Sequence, residues 1–134
     1  MTFRGLNLLA VLAAAISAFV LGGLWYSPFL FGSVWKKANG FGSDQPSSGG
    51  ARIFIISFVL SLIMAANLAM FLNDPKTNLV WGATAGFLAG FGWIAMGLGI
   101  VSLFERRPSS YVLVNGGYLT LALVVMGAIL GGWR

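Results

Sequence analysis

Four apolar runs, at residues 6–26, 51–72, 79–104 and 111–133, leave this chain few ways to fold. A bilayer core about 30 Å thick takes roughly 20 helical residues to cross, and each run is long enough. In hydrocarbon every backbone N–H and C=O needs an internal partner, so such runs cross as helices. No Asp, Glu, Lys or Arg lies in the interior of any run. The expected fold class is therefore all-α: an integral membrane four-helix bundle forming one domain over residues 1–134.

Composition agrees. Of 134 residues only 8% are charged and 58% are hydrophobic, whereas a soluble domain carries about 25% charged residues. With 8% there is too little polar surface to cover a globule in water. The 19 glycines fit as well, because membrane helices tolerate glycine better than soluble ones. With no cysteine and no histidine there is no disulfide, thiolate nucleophile, Cys/His metal site or Ser-His-Asp triad. No cofactor is expected. The net charge of +5 comes from eight Lys and Arg scattered among loops and ends. They form no basic stripe, which argues against nucleic acid and for topology signals and headgroup contacts.

The first run competes with a cleaved signal peptide, since Arg4 precedes it and Ala13-Ala14-Ala15 resembles a cleavage site. Apolar character continues past Ala15 into Trp25 and Tyr26, however, and cleavage would strand half a span, so the run is read as retained. Residues 27–50 form the one long connection. Ser27-Pro28 is a plausible helix start and Asn39-Gly40 a plausible stop. Between them Phe31, Val34, Trp35 and Ala38 share a face, opposite Ser33, Lys36 and Lys37. That pattern predicts a short interfacial helix over about 28–38, aromatics inward and lysines toward headgroups. The rival is a kinked continuation of the first span. Residues 42–50 read as flexible linker. Asn73-Asp74-Pro75 and Glu105-Arg106-Arg107-Pro108 close the second and third spans. These short links predict that consecutive spans pack as antiparallel neighbours.

Aromatic residues mark two belts: Trp25, Tyr26, Trp35 and Tyr111 at one surface, Trp81 and Trp133 at the other. Arg4, Lys76 and Arg134 fall on the side of the termini, against Lys36, Lys37, Arg52, Arg106 and Arg107 on the other. The positive-inside rule then places the long loop in the cytoplasm and the termini outside, in a cytoplasmic (inner) membrane.

Within the spans, rows of small residues four apart recur: Ala10, Ala14, Ala18 and Gly22; Ser57, Ser61, Ala65 and Ala69; Gly82, Gly86 and Gly90; Gly127 and Gly131. Such rows let helix backbones approach closely. They serve packing within the bundle or, most of all for Gly82, Gly86 and Gly90, contact with another subunit. At 1.5 Å per residue, Ser17, Ser61 and Thr120 fall near the depth of Trp93 in mid-span. These four form a candidate polar layer, either interhelical hydrogen bonds or a path for a small solute. Asn67 with Thr84, and Asn115 with Ser57 near Tyr26, are further layers. The frame A-x-x-x-F-x-x-G-x-x-W occurs at residues 15–25 and again at 83–93, which hints at a parallel duplication of two-helix units. A chance match in an apolar alphabet is the alternative.

Gly22-Gly23-Leu24-Trp25-Tyr26-Ser27-Pro28-Phe29-Leu30-Phe31-Gly32, with Trp35 three residues on, resembles a bacterial membrane family catalogued as domain of unknown function 1761. Members are similar in length, have about four spans, and carry Trp-Tyr-Ser-Pro followed by Phe-Gly and Trp at the end of the first span. The likeness covers nearly the whole chain in layout, while its specificity rests on this motif. It implies the fold and no activity. Members often carry polar or acidic residues in the following loop, where this chain has Lys36-Lys37 and a Ser/Gly-rich tail. Trp25, Tyr26, Ser27, Pro28, Phe31, Gly32 and Trp35 thus either anchor and turn a helix end or line a pore mouth or lipid groove.

The expected function is a small non-enzymatic membrane protein acting as an assembly or accessory module. Its partners would be the bilayer and either further copies of itself or a larger membrane protein. The rival is a small oligomeric channel or facilitator for a neutral solute or ion. An enzyme fits least, for want of a buried acid, base, metal ligand or nucleophile pair.

Overall fold

The structure, a computed structural model, describes residues 6–27, 30–38 and 51–133. The described residues are helical almost throughout. Helix α1 spans Leu8–Trp25, α2 Gly32–Ala38, α3 Ala51–Phe71, α4 Leu79–Ala89, α5 Met96–Glu105 and α6 Ser109–Gly132. A π-helical segment, Gly90–Ala95, joins α4 to α5, so the third span runs unbroken from Leu79 to Glu105. Among the described residues four helices are long and apolar enough to cross a membrane, and the protein is a membrane protein. The first five residues and residues 39–50, which include Arg4, Asp44 and the expected linker, lie outside the described residues, as do Pro28, Phe29 and Arg134.

Helix ends follow local chemistry. Asn7 caps α1 by accepting from the Ala10 N–H at 3.1 Å, and Asn78 caps α4 by accepting from Trp81 at 2.8 Å. At the end of α5, Arg106 takes φ 58°, a left-handed turn usually left to glycine. The Arg106 N–H reaches the Leu103 carbonyl at 3.3 Å and Arg107 reaches Ser102 at 2.9 Å. These two bonds satisfy the last carbonyls of α5 and reverse the chain into α6.

Helix α6 is the hub, packed against α1, α2, α3, α4, the π segment and α5. Its tightest partner is α4. A Cβ built on Gly82 would collide with the Gly127 carbonyl, and one on Gly86 with the Leu123 carbonyl. A Cβ on Gly131 would strike the Asn78 carbonyl. The two glycine rows therefore let the backbones of α4 and α6 touch, which yields dispersion contact where apolar burial gives no drive. On the other side of α6 lies α1, through Ala10, Ala14 and Ala18, all buried beside Ala122, Met126 and Leu130.

The expectation that the second and third spans are neighbours is overturned. Helix α3 packs on α1 and, more sparingly, on α6, with at most marginal contact to α4. The inner face of α4 is already spent on α6. The link crosses the end of the bundle as an ordered turn, with Leu72 and Thr77 buried and the Thr77 N–H on the Asp74 carbonyl at 3.0 Å. Helix α3 is held by its C-terminal half, where Ala65, Leu68 and Ala69 are buried. Its first turns meet α1 at Phe19, whose ring lies edge-on to Phe54 and Phe58 at 6.0 and 5.9 Å.

Candidate functional site

Among the described residues, the end of α1 gathers long-range polar and aromatic contacts to α2 and α6. The helix stops at Trp25, and the chain then folds back on itself. The Phe31 N–H bonds the Trp25 carbonyl at 3.0 Å and the Gly32 N–H the Ser27 carbonyl at 2.9 Å. The Ser27 hydroxyl donates to the Leu24 carbonyl at 2.6 Å, closing the α1 end. A Cβ on Gly32 would sit 2.8 Å from the Ser27 carbonyl, so only glycine lets α2 start this close to the turn.

Three side chains clamp this turn to α6. The Trp25 indole N–H donates to the Val114 carbonyl at 2.8 Å, and its ring lies 4.6 Å from Phe31. Gly117 makes room for that indole, since a Cβ there would stand 3.0 Å from Trp25 Cζ2. The Tyr26 hydroxyl donates to Asn115 Oδ1 at 2.5 Å, while Asn115 Nδ2 donates to the Tyr111 carbonyl at 3.0 Å. From α6, the Tyr118 hydroxyl donates back to the Ala18 carbonyl at 2.7 Å, over Gly22. The Tyr26 ring meets both Trp35 of α2 and Tyr118 edge-on, each at 5.5 Å. At the margin the Arg107 guanidinium lies 5.1 Å above the Tyr111 ring, a cation–π contact.

This arrangement is a clasp. The indole and hydroxyl donors of Trp25, Tyr26, Ser27 and Tyr118 are each bonded, and their acceptors are α1 and α6 carbonyls or Asn115. With these donors engaged, the cluster fixes α1, α2 and α6 relative to one another. The model of the family described as Protein of unknown function (DUF1761) matches residues 9–131. The chain belongs to this family. No curated protein and no solved structure matches it. In this member, then, the Trp-Tyr-Ser stretch and the Phe-Gly and Trp that follow build one interhelical joint, with Trp25, Tyr26, Ser27, Phe31, Gly32 and Trp35 all within it. Pro28 falls outside the described residues.

Sequence reasoning missed the other half of the clasp. Tyr118, Val114 and Gly117 were not singled out, although Gly116-Gly117-Tyr118 carries a signal of its own, glycines beside a bulky amphipathic ring. Asn115 does lie near Tyr26, but its partner there is the tyrosine and not Ser57, which is exposed on α3.

The polar layer of Ser17, Ser61, Trp93 and Thr120 is not assembled. Ser17 donates to the Ala14 carbonyl at 2.6 Å and Ser61 to the Ser57 carbonyl at 2.9 Å. Trp93 is 72% exposed, on the outer face of the third span. Thr120 instead lies under Gly90, where a Cβ would come 2.6 Å from its Cα. Asn67 and Thr84 likewise bond their own helices, to Ile63 and Val80. The reason is local: a hydroxyl or amide can always reach a carbonyl three or four residues back, whatever the neighbouring helices offer. Ser61→Ala and Thr84→Ala should accordingly each change stability by less than about 0.6 kcal/mol, the average interhelical bond, in unfolding titrations with sodium dodecyl sulfate. A larger loss in either would mean that the hydroxyl has a second partner.

Gly82, Gly86 and Gly90 face α6 of the same chain, so this row is not free for another subunit. The two copies of the A-x-x-x-F-x-x-G-x-x-W frame both set their glycine against α6, Gly22 beside Tyr118 and Gly90 beside Thr120. They part at the tryptophan. Trp25 follows a regular α-turn and points at α6, whereas Trp93 lies in the wider π segment and points away.

Proposed function

We propose that this protein is a non-enzymatic membrane module that assembles with a larger membrane protein or with further copies of itself. The reading is supported above all by where the polar atoms inside the spans go. Ser17, Ser61, Asn67 and Thr84 each donate to a carbonyl of their own helix, so these four side chains do not join into a polar path between helices. The clasp at the end of α1 spends its donors in the same way, on holding helices. Meanwhile α3 and the third span bury little of themselves within the chain, which leaves long helical faces for other membrane components. The protein sits in the cytoplasmic membrane with its termini outward, on the excess of basic residues at the opposite end.

The test is gentle extraction from the native membrane followed by native mass spectrometry. A complex with a defined larger protein, or a discrete homo-oligomer, is the expected result. A monomer alone, at every detergent and lipid condition tried, would overturn the assembly reading. Saturable flux of a neutral solute through liposomes holding the purified protein would replace it with the channel reading.

A further inference from the structure

The first turn of α1 and the last turns of α3 and α6 meet around a cavity of about 140 Å³. Ala10, Ala69, Leu72 and Leu130 form its walls, and all four are buried. Asn7, Asn73 and Trp133 stand at its rim, at the ends of their helices and therefore at the level of the membrane surface. An apolar cavity of about 150 Å³ in another protein stays dry and takes up benzene, so this volume suits one ring-sized apolar group.

The rim decides the rest. Among the described residues none that lines the cavity is ionisable, and a charged group seated between Ala10, Ala69, Leu72 and Leu130 would lose its hydration. Asn7 is held in place at both ends of its amide. Its Oδ1 accepts from the Ala10 N–H, and its Nδ2 donates to the Trp133 carbonyl at 3.3 Å. An amide nitrogen carries two hydrogens, and among the described residues only the Trp133 carbonyl takes one of them, so the other can serve an acceptor at the cavity mouth. The cavity also lies where α3 and α6, which share little direct packing, come together. A molecule seated there adds contacts between the second and fourth spans.

We propose that this cavity binds an uncharged amphiphile from the membrane interface, one ring-sized apolar group bearing a hydrogen-bond acceptor, and that its occupancy fastens α3 to α6. This proposal is independent of the assembly reading. The probe is a diazirine-bearing benzyl alcohol, photolysed with the full chain in lipid nanodiscs, with labelled residues mapped by peptide mass spectrometry. Labelling is expected to saturate, to fall on residues 6–10, 69–73 and 130–133, and to drop at least fivefold under excess benzyl alcohol. Ala69→Leu, which fills the wall, should lower the saturable part at least fivefold. If that variant does not fold, competition in the parent protein decides. Labelling that never saturates, or that spreads along the exposed faces of α3 and α5 without competition, is membrane partitioning and would overturn the proposal. Equal competition by benzyltrimethylammonium would overturn the uncharged class.

Discussion

Gly86→Leu is expected to break the bundle at its tightest joint. The atoms that a side chain at position 86 would meet are backbone: the Leu123 carbonyl, and Val124 Cα at 3.0 Å. Backbone cannot rotate aside as a flexible side chain can, so α4 and α6 have to separate along the whole Gly82–Gly86–Gly90 row. Overpacking a core costs about 1–3 kcal/mol and occasionally more, and a backbone obstruction belongs at or above the upper figure. Against a total stability of about 5–15 kcal/mol, a loss of about 3 kcal/mol or more is a large fraction. Titration with sodium dodecyl sulfate should show it as a sharply lowered midpoint. Gly92→Leu is the matched control. Nothing lies within 4 Å of a Cβ there, so its midpoint should move by less than about 0.5 kcal/mol, as for surface substitutions. Equal midpoints for the two variants would show that α4 does not pack on α6 through this row.

That pair of glycines, six residues apart on one span, also shows what was legible in the sequence. Each span could be recognised because about 20 uninterrupted apolar residues have one stable form in lipid. Which face of a span looks inward was much harder to read. These helices are apolar all round, so hydrophobic periodicity, the usual pointer to an inner face, carries almost nothing. Rows of small residues served as a substitute, and in the structure Gly82 meets Gly127 and Gly131 while Gly86 meets the backbone of Leu123 and Val124. The same signal in α3 was realised only over its second half, at Ala65 and Ala69.

Neighbour relations failed for a measurable reason. Residues 72–78 can extend roughly 20 Å at about 3.3–3.6 Å per residue. That is close to two helix diameters of about 10–12 Å. A link of this length allows the third span to settle on α6 without touching α3. Trp93 failed differently. Its mid-span depth followed from counting, but its direction depends on the π segment that begins at Gly90, and π turns occur mostly as single local widenings that no simple residue pattern announces. The motif at the end of α1 was legible as a place. Its partners on α6, some ninety residues on, were not, because a hydrogen bond from an indole to a backbone carbonyl leaves no mark on the residue that supplies the carbonyl.

Trp25→Ala and Trp93→Ala should therefore differ widely, although both residues end the same eleven-residue frame. Removing Trp25 deletes a ring packed against Phe31 and fitted over Gly117, together with the bond to the Val114 carbonyl. Truncating a packed Phe or Trp to Ala costs about 3–5 kcal/mol, and the half-buried position of Trp25 places it near 3 kcal/mol. Trp25→Phe keeps a ring in the clasp and loses the hydrogen bond, an average of about 0.6 kcal/mol for polar contacts between membrane helices, plus the volume of the second ring. Trp93, at 72% exposure, faces outward and touches little of its own chain, so its replacement should cost less than about 0.5 kcal/mol in the purified protein. Midpoints of unfolding in sodium dodecyl sulfate for the three variants test this order. A cost at Trp93 matching that at Trp25 would mean that the third span turns the same face inward as the first, and the clasp would lose its standing as the joint that distinguishes them.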